Sequence, residues 1–585
     1  MFMSKNIRLI ISLVAIFVLA VLVWYSPVLF KGYNSGTTDG HALVRARNLA
    51  LAGKYSTESK TNVILAPELI PQEGIQSNYG NKLGTVLYSY LIRIFGALDP
   101  KTIVLINCII LALALIIFAL AVNFLFDLKT SLIFSFFYIF FPSNWSLPQT
   151  LIGYNFALLF LSLFFLFFAI GLERFKGQGL SEKGKSHLVI KKFIIFGLAG
   201  LFLILACFCR EVFFLLLPIL FIYLLVRKDF RTYLIPLFSV VIIIFCIFWL
   251  PSFISGNNTY LLFFNNQADE ALKASDFSYY SHIFPDPYTF HFNRESYLKD
   301  YYYNPKEVGQ LDLLQQLGRE KVLVNMGFSS VGLWDRIKIG LPLFFRHIFR
   351  LFSVTEIGGP FVSFLIILGL VSLKRAKSYW HSFFIFWFFS AAFLLAFINL
   401  ANRNHLMDLG WGICLAMTVG FILLVESLSN NLYQGKYQKI ISVLLLFLVV
   451  YNLVLASHVM WSYIYNDSPV PLIEAYASKI KEKNIQPDEV IAFSTGANDI
   501  YFLNYLTNKS MITFDSTTIE KLLKDNKLVD AFGAYKVKYI LGYSPKLSSE
   551  IASNVTIDII ADSSIEIPKE NKNITNKNWF LNLVK

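Results

Sequence analysis

Residues 34–55, NSGTTDGHALVRARNLALAGKY, combine one carboxylate with several cations in a short segment. The Asp39 carboxylate could accept a proton from a hydroxyl group, which is the role of a general base. His41 and Arg45 could bind an anion or stabilise negative charge that develops during a reaction. The segment therefore contains the side chains that a group-transfer reaction with an anionic leaving group would need.

The same segment has the periodicity of an amphipathic helix over residues 39–52. The apolar face would carry Ala42, Leu43, Ala46, Leu49 and Ala50, and a polar face would carry His41, Arg45 and Asn48. Thr37, Thr38 and Asp39 stand where an N-cap belongs. A capped helix that lies on a membrane surface has the same features, so the choice between the two interpretations depends on the rest of the chain.

The composition is that of an integral membrane protein. Of the 585 residues, 56% are hydrophobic and 15% are charged, and the mean hydropathy is +0.57; about a quarter of the residues in soluble domains are charged. The formal charge of +13 follows from the Lys and Arg that membrane proteins keep on the cytoplasmic side, so we expect no nucleic acid partner. All five cysteines fall inside apolar runs, which predicts neither disulfides nor a metal site.

The apolar runs predict a polytopic α-helical protein with about eleven spans, each crossing about 30 Å of hydrocarbon. They cover residues 8–28, 101–126, 130–142, 151–172, 193–209, 211–226, 232–250, 359–373, 379–399, 408–427 and 439–461. The first run is longer than the core of a signal peptide, so it is predicted as an uncleaved span. Residues 82–97 are predicted as an interfacial helix, because another crossing there would reverse the charge pattern of the loops.

The charge pattern predicts a multi-pass protein of the plasma (inner) membrane with a cytoplasmic N-terminus. Lys5 and Arg8 precede the first span, and loops on that side hold nearly all the Lys and Arg of the short loops. Short loops on the opposite side hold only Arg210 and Arg403. The positive-inside rule then places the C-terminus outside the cytoplasm.

Two domains are predicted. Residues 1–461 form a transmembrane module with outer loops at 29–100 and 251–358, and residues 462–585 form a small extracytoplasmic α/β domain. Within the second, EVIAFST, SMITFD and KYILGY are predicted as strands, and TTIEKLLKDNKLVDAF as one helix between two of them. FSTGAND at 493–499 contains a lone glycine, which is too weak a signal for a phosphate-binding loop.

The order of these features resembles the GT-C superfamily of membrane glycosyltransferases. A first span is followed by an acid, then by ARNLALAG, then by an interfacial helix ending in IFG, and then by paired spans. The pattern is similar to that of the protein O-mannosyltransferases and the lipid A aminoarabinose transferases. This resemblance implies a GT-C-like fold, an active site outside the cytoplasm, and a polyprenyl-phosphate sugar as donor.

The resemblance also implies roles for individual residues. Asp39 matches the acid of the first loop, which is the general base in this family. Basic residues at corresponding places imply a substrate-binding set that comprises His41, Arg45, Lys82, Arg210, Arg403 and His405. Relatives often carry a second acid between the third and fourth spans, but the loop here is PSNWSLPQTLIGYN, where Gln149 or Asn155 could stand in. No cofactor is therefore assigned, although a divalent metal ion stays open.

These observations favour an integral-membrane glycosyltransferase. It would move a sugar from a polyprenyl-phosphate carrier, held beside membrane lipid, to a lipid, glycan or protein acceptor. A transporter or flippase for lipid-linked sugars is an alternative, although charges at mid-span and internal repeats would then be expected. A non-catalytic scaffold subunit is a third possibility, which the missing second acid favours. An Asp39→Asn variant separates the enzyme from the other two.

Overall fold

The structure is a computed structural model of the full chain. It describes residues 5–31, 39–53, 82–96, 98–145, 147–149, 154–175, 185–210, 213–214, 216–226, 231–254, 358–373, 410–433, 438–466, 470–486, 489–494, 497–514, 516–524, 526, 528–534 and 536–565. Most of the predicted outer loop 251–358, the predicted span 379–399, and the candidate residues Arg403 and His405 lie outside these residues.

The described residues up to Asn466 are mostly helical, because long apolar runs in a membrane can satisfy their backbone groups only within a helix. The helices are α1 (Lys5–Lys31), α2 (Asp39–Ala52), α3 (Lys82–Phe95), α4 (Pro100–Leu125), α5 (Leu128–Phe140), α6 (Tyr154–Phe175), α7 (Lys185–Cys209), α8 (Leu216–Val226), α9 (Arg231–Ile254), α10 (Pro360–Leu373), α11 (Gly410–Tyr433) and α12 (Gln438–Asn466). Two short 3₁₀ turns, Pro142–Trp145 and Leu147–Gln149, connect α5 to α6.

Among the described residues, six helices are long and apolar enough to cross a membrane. They lie at Leu9–Leu29, Pro100–Leu125, Tyr154–Phe175, Ile190–Cys209, Gly410–Leu428 and Ile440–Ser457. Four more of the predicted spans correspond to shorter apolar helices at Leu128–Phe140, Leu216–Val226, Tyr233–Ile247 and Pro360–Val371. The chain is therefore a multi-pass membrane protein. Lys82–Phe95, within the predicted segment 82–97, form the helix α3, and its position at the membrane interface stays a prediction.

Glycines allow neighbouring helices to approach each other at the backbone. A Cβ at Gly369 of α10 would overlap with the carbonyl oxygen of Ala416, and a Cβ at Gly420 of α11 would overlap with that of Leu365. Small residues at a crossing are typical of helices packed in lipid, where dispersion contacts replace the hydrophobic effect as the driving force. The α10–α11 pair is thus packed through its smallest residues.

The described part of the C-terminal region, residues 470–565, is called the tail domain. It contains α13 (Val470–Glu482), β1 (Val490–Phe493), α14 (Ala497–Thr507), β2 (Ser510–Thr513), α15 (Ser516–Lys524), α16 (Leu528–Ala534), β3 (Val537–Leu541), α17 (Pro545–Asn554) and β4 (Asp558–Ala561). The strands form one parallel sheet in the order β2-β1-β3-β4. A small α/β structure with strands in the three predicted segments is confirmed.

Two details of the tail domain differ from the prediction. The segment TTIEKLLKDNKLVDAF forms two helices, α15 and α16, because Asn526 between them takes a left-handed conformation with φ of 55°, which Asn tolerates better than most residues. The strand β4 was not predicted. It is a four-residue edge strand that alternates little in polarity, so its sequence carries a weak signal.

One apolar core runs from the helix bundle into the tail domain. Leu43 and Val44 of α2 belong to the same buried cluster as Phe502 and Leu503 of α14 and Ile491 of β1. A second, smaller cluster lies on the other face of the sheet, around Phe514, Phe532 and Tyr543. The tail domain is therefore a three-layer structure whose α13–α14 layer is continuous with the core of the bundle.

Candidate functional site

Several hydrogen bonds and contacts identify one end of the bundle, which we call the tail-side end. There, Trp24 Nε1 of α1 donates to Ile139 O of α5 at 3.0 Å, and Ser457 Oγ of α12 donates to Phe140 O at 3.2 Å. The N-terminus of α6 meets the C-terminus of α7 at the same end, since Arg210 lies against Tyr154. The tail domain follows α12, so candidate residues at this end lie near it.

Asp39 is the first residue of α2, the helix predicted at 39–52. The side chains of Asp39 and His41 lie outside the described residues, and Arg45 is half-buried. The two predicted faces are not one buried and one exposed, because Arg47 and Asn48 are buried together with Leu43 and Val44. The reason is that α3 packs on one side of α2 and α14 packs on another.

Arg210 is the candidate cation whose surroundings the structure describes in detail. It follows the last residue of α7, where its N–H continues the helix by donating to Ala206 O at 2.9 Å. Its side chain is 7% exposed, and its guanidinium carbon lies 3.9 Å from the centroid of the Tyr154 ring. A desolvated guanidinium over an aromatic ring is favourably placed, so Arg210 is a buried cation at the tail-side end.

The remaining predicted cations are located by the helices that carry or follow them. Lys82 is the first residue of α3, and its side chain lies outside the described residues. Arg403 and His405 precede α11, which begins at Gly410. A Cβ at Gly410 would lie 3.4 Å from Phe141 Cε1 and 3.6 Å from Asn144 Oδ1. The helix α11 thus begins beside the α5–α6 connection.

The α5–α6 connection, where relatives often carry a second acid, is held by buried amides. The Tyr88 hydroxyl of α3 donates to Asn107 Oδ1 of α4, and Asn107 Nδ2 donates to Pro148 O at 3.0 Å. Asn155 Nδ2 donates to Leu147 O at 3.4 Å, and Asn155 has no exposed surface. Asn155 is thus buried beside the connection, and its proposed role in place of the acid stays a prediction.

Asn144 in this connection belongs to an Asn-Trp-Ser sequence that could be read as a glycosylation acceptor. Its Nδ2 donates to Tyr138 O at 2.7 Å, and the residue has no exposed surface. Asn144 is therefore a packing residue of the folded protein and is not accessible for modification.

The described residues do not supply a metal site. Within them, no three His, Cys, Asp or Glu side chains come together, and the α5–α6 connection offers neutral, buried amides where a carboxylate would be needed. We therefore derive no step through a metal ion.

Arg47 is a buried residue of α2 that the sequence analysis did not include in the site. Its Nη1 donates to Asn504 O at 2.9 Å and to Tyr505 O at 3.3 Å, and its Nη2 donates to Asn504 Oδ1 at 2.8 Å. Burial lowers the pKa of the guanidinium to about 10, so it is still charged at neutral pH. Arg47 is part of the AR pair in ARNLALAG, which was the one available signal for it.

Tyr505 makes a second connection from the tail domain. Its hydroxyl donates to Leu98 O at 2.7 Å, next to Asp99, which caps α4 by accepting from Lys101 N and Thr102 N at 3.1 Å. Burial raises the pKa of the Tyr505 hydroxyl, so it keeps the proton that it donates. The helix α14 is thus bonded both to α2 and to the start of α4.

In open α/β sheets, ligands bind at the carboxyl ends of the strands, at the point where the strand order reverses. In the tail domain this point lies between β1 and β3. Ser494 Oγ donates to Gly542 O across this gap at 2.5 Å. A Cβ at Gly542, whose φ is +78°, would lie 2.8 Å from Ser494 Oγ and 3.2 Å from the Tyr476 hydroxyl. The Ser494 hydroxyl is therefore engaged within the protein, and FSTGAND is assigned no ligand.

Comparisons with known proteins place this arrangement in a fold class. No protein-family profile and no curated protein matches the sequence. An oligosaccharyltransferase of Archaeoglobus fulgidus, solved with a tethered acceptor peptide, has a TM-score of 0.58 at 13% identity and covers 92% of this chain and 69% of its own. The archaeal oligosaccharyltransferase AglB of the same organism, solved with an inhibitory peptide and a dolichol-phosphate, has a TM-score of 0.52 at 10% identity. The match covers 90% of this chain and 69% of that one.

A further similar structure is ArnT from Cupriavidus metallidurans bound to undecaprenyl phosphate, with a TM-score of 0.47 at 11% identity over 93% of this chain and 89% of that one. At these identities the archaeal matches establish the fold. The helix bundle with α2, α3 and the C-terminal α/β region therefore has the GT-C fold, as the order of motifs predicted.

Proposed function

We propose that this protein is a membrane glycosyltransferase that moves a sugar from a polyprenyl-phosphate carrier to a hydroxyl group of a lipid, glycan or protein acceptor. The observation that carries the proposal is a GT-C fold in which Asp39 begins the first helix after the first span. Fold alone does not determine function. The residues at the tail-side end therefore have to supply the chemistry.

Glycosyl transfer from a lipid phosphate makes two demands on those residues. The acceptor hydroxyl attacks the anomeric carbon and gives its proton to a base, for which Asp39 is our candidate. The bond from the anomeric carbon to the phosphate oxygen breaks, and the lipid phosphate leaves with the electron pair. Cations shielded from water stabilise that charge, and Arg210 is such a cation, with Arg45, His41, Lys82, Arg403 and His405 proposed beside it.

The solved relatives support the choice of donor. An archaeal oligosaccharyltransferase with this fold has been solved with a dolichol-phosphate, and dolichol-phosphate is a lipid phosphate of the proposed class. The orientation predicted from charge would place the tail-side end outside the cytoplasm, where lipid-linked sugars would be used. The sugar and the acceptor are left to experiment.

The test uses the purified full-length protein in lipid nanodiscs with a panel of polyprenyl-phosphate and dolichyl-phosphate sugars. Release of the lipid phosphate is measured. We expect Asp39→Asn to reduce transfer by about 10²–10⁴-fold, the usual contribution of a general base, with unchanged thermal unfolding.

Asp99→Asn is the matched control, because it makes the same chemical change at the start of α4 and Asn caps a helix about as well as Asp. It should transfer sugar at the wild-type rate. Full activity of the Asp39→Asn variant would contradict the proposal and favour a transporter or scaffold.

A further inference from the structure

We propose that α14 of the tail domain holds the catalytic helix α2 in place, with Arg47 as the positioning residue and Asn504 and Tyr505 as its anchors. The proposal rests on the proposed function, because the position of α2 matters for transfer only if Asp39, its first residue, is the general base. None of the three residues is assigned a contact with substrate. Their effect on transfer would pass through the position of α2.

The first argument is the geometry of the Arg47 contact. α14 ends at Thr507, and Asn508 after it has a φ of 54°, so the carbonyls of Asn504 and Tyr505 belong to the last turn. The last carbonyls of a helix form the negative end of its dipole, and that of Asn504 also accepts from Asn508 N at 2.7 Å. The Arg47 fork binds both carbonyls and the Asn504 side chain, so it caps a helix that is 457 residues away in sequence.

The second argument is that α14 is itself tied to the bundle. The Tyr505 hydroxyl donates to Leu98 O just before α4, and α4 is one of the long apolar helices. Asn504 is fully buried and its Nδ2 donates to Lys509 O at 2.5 Å, which fixes the orientation of its amide. Arg47 is therefore bound to a surface whose own position is set by α4.

The third argument is the distance between the contact and the proposed base. Arg47 lies eight residues after Asp39 on one helix, which is about 12 Å at 1.5 Å per residue. The helix α2 also packs against α3, where Arg93 Nη2 donates to Leu49 O at 3.0 Å. A helix of two turns carries a shift at Arg47 to its first residue, and misplacement by about 1 Å can cost about 10²-fold in rate.

The experiment compares two tyrosine variants of the full-length protein in lipid nanodiscs. Tyr505→Phe removes the hydrogen bond to Leu98 O, whereas Tyr543→Phe removes an equivalent buried bond, to Phe514 O at 2.8 Å, within the tail domain alone. Hydrogen–deuterium exchange is followed in peptides that cover α2. Transfer is followed with whichever polyprenyl-phosphate sugar the wild-type protein turns over.

We expect Tyr505→Phe and Asn504→Ala to speed exchange in α2 by about tenfold, as loss of a buried hydrogen bond would, and to lower kcat with little change in KM. Tyr543→Phe should leave both unchanged. Arg47→Lys keeps the charge but loses the planar fork. Its exchange rate in α2 and its kcat should lie between those of the wild type and of Arg47→Ala. When Arg47→Ala is combined with Asn504→Ala, the effects of the two substitutions on exchange and on kcat should be non-additive.

Exchange in α2 that is the same in all variants would overturn the inference. An equal rise with Tyr543→Phe would also overturn it, because the effect would then reflect the stability of the tail domain as a whole. If the wild-type protein turns over none of the sugars, the proposed function fails, and the exchange comparison still decides whether α14 holds α2.

Discussion

The two buried arginines, Arg210 and Arg47, are stabilised in different ways. Burial of a charge is costly unless the group is paired or hydrogen-bonded. Arg47 donates from both terminal nitrogens to two carbonyl oxygens and one side-chain oxygen at a helix end. Arg210 lies over the Tyr154 ring, with its guanidinium carbon 3.9 Å from the ring centroid. The first contact is structural, and the second is compatible with substrate binding.

The Tyr154 ring should therefore support the function of Arg210. We expect Tyr154→Leu to raise KM for the lipid-phosphate donor roughly tenfold, because a desolvated cation–π contact contributes up to about 2 kcal/mol. Tyr154→Phe keeps the ring and should stay close to wild type. The measurement is a titration of each variant with the donor. Equal KM values for Tyr154→Leu and Tyr154→Phe would contradict a role of the Tyr154 ring in supporting Arg210.

At this scale the sequence predicted residue types better than it predicted contacts. The position of Arg210 at a helix end followed from hydropathy, and Asp39 at a helix start followed from its N-cap chemistry. The sequence analysis included Arg45 in the site and left out Arg47, because the partners that bury Arg47 are 457 and 458 residues away. Periodicity describes one helix, and it contains no information on which distant helix will cover which face.

At the scale of elements, the α10–α11 crossing depends on two glycines. Gly420→Val places a side chain where the Leu365 carbonyl oxygen lies, and Gly369→Val does the same at Ala416. Forcing side chains into a packed interface costs about 1–3 kcal/mol or more. We expect both variants to lower the midpoint of thermal unfolding by several degrees in detergent.

Gly533→Ala is the control for these two variants. It lies in α16, no atom lies within 4 Å of its added Cβ, and its backbone is not left-handed. Ala favours a helix over Gly by up to about 1 kcal/mol, so this variant should unfold at the same or a higher temperature. A loss of stability comparable to that of Gly420→Val would mean that close packing is not the cause.

Hydropathy predicted most elements of the fold because long apolar runs have one solution in a membrane. Hydropathy was less accurate where the local backbone conformation determines where a helix begins or ends. The break between α15 and α16 depends on the φ of one residue, Asn526, and helical propensity alone runs through it. The 11-residue helix α8 begins at Leu216, later than the predicted span at 211, although the apolar run is continuous across that boundary.

At the scale of the whole molecule, the continuous core makes the tail domain part of the membrane module. The predicted boundary at 461 follows a change in composition, but buried residues of α2 and α14 share one cluster. The sequence showed the change in composition and not the packing across it. The orientation in the membrane is the part of the prediction that now needs a direct test.

Two cysteine variants would test that orientation. Ser553→Cys places a thiol on an exposed position of α17, and Lys129→Cys places one on an exposed position at the start of α5. We expect a membrane-impermeant maleimide to label the first in intact cells and the second only after permeabilisation. Labelling in the reverse order would invert the topology and move the tail-side end to the cytoplasm. Unmodified protein is the control, since four of its five cysteines are buried.

The long separation between Arg47 and its anchors has a consequence for biosynthesis. Translation adds about 5–20 residues per second, and Asn504 is 457 residues after Arg47. Roughly 20–90 s therefore pass before the ribosome has made the carbonyls that Arg47 will bind. During that time the Arg47 cation has water or lipid headgroups as partners, so α2 would gain its anchors only after α14 has been made.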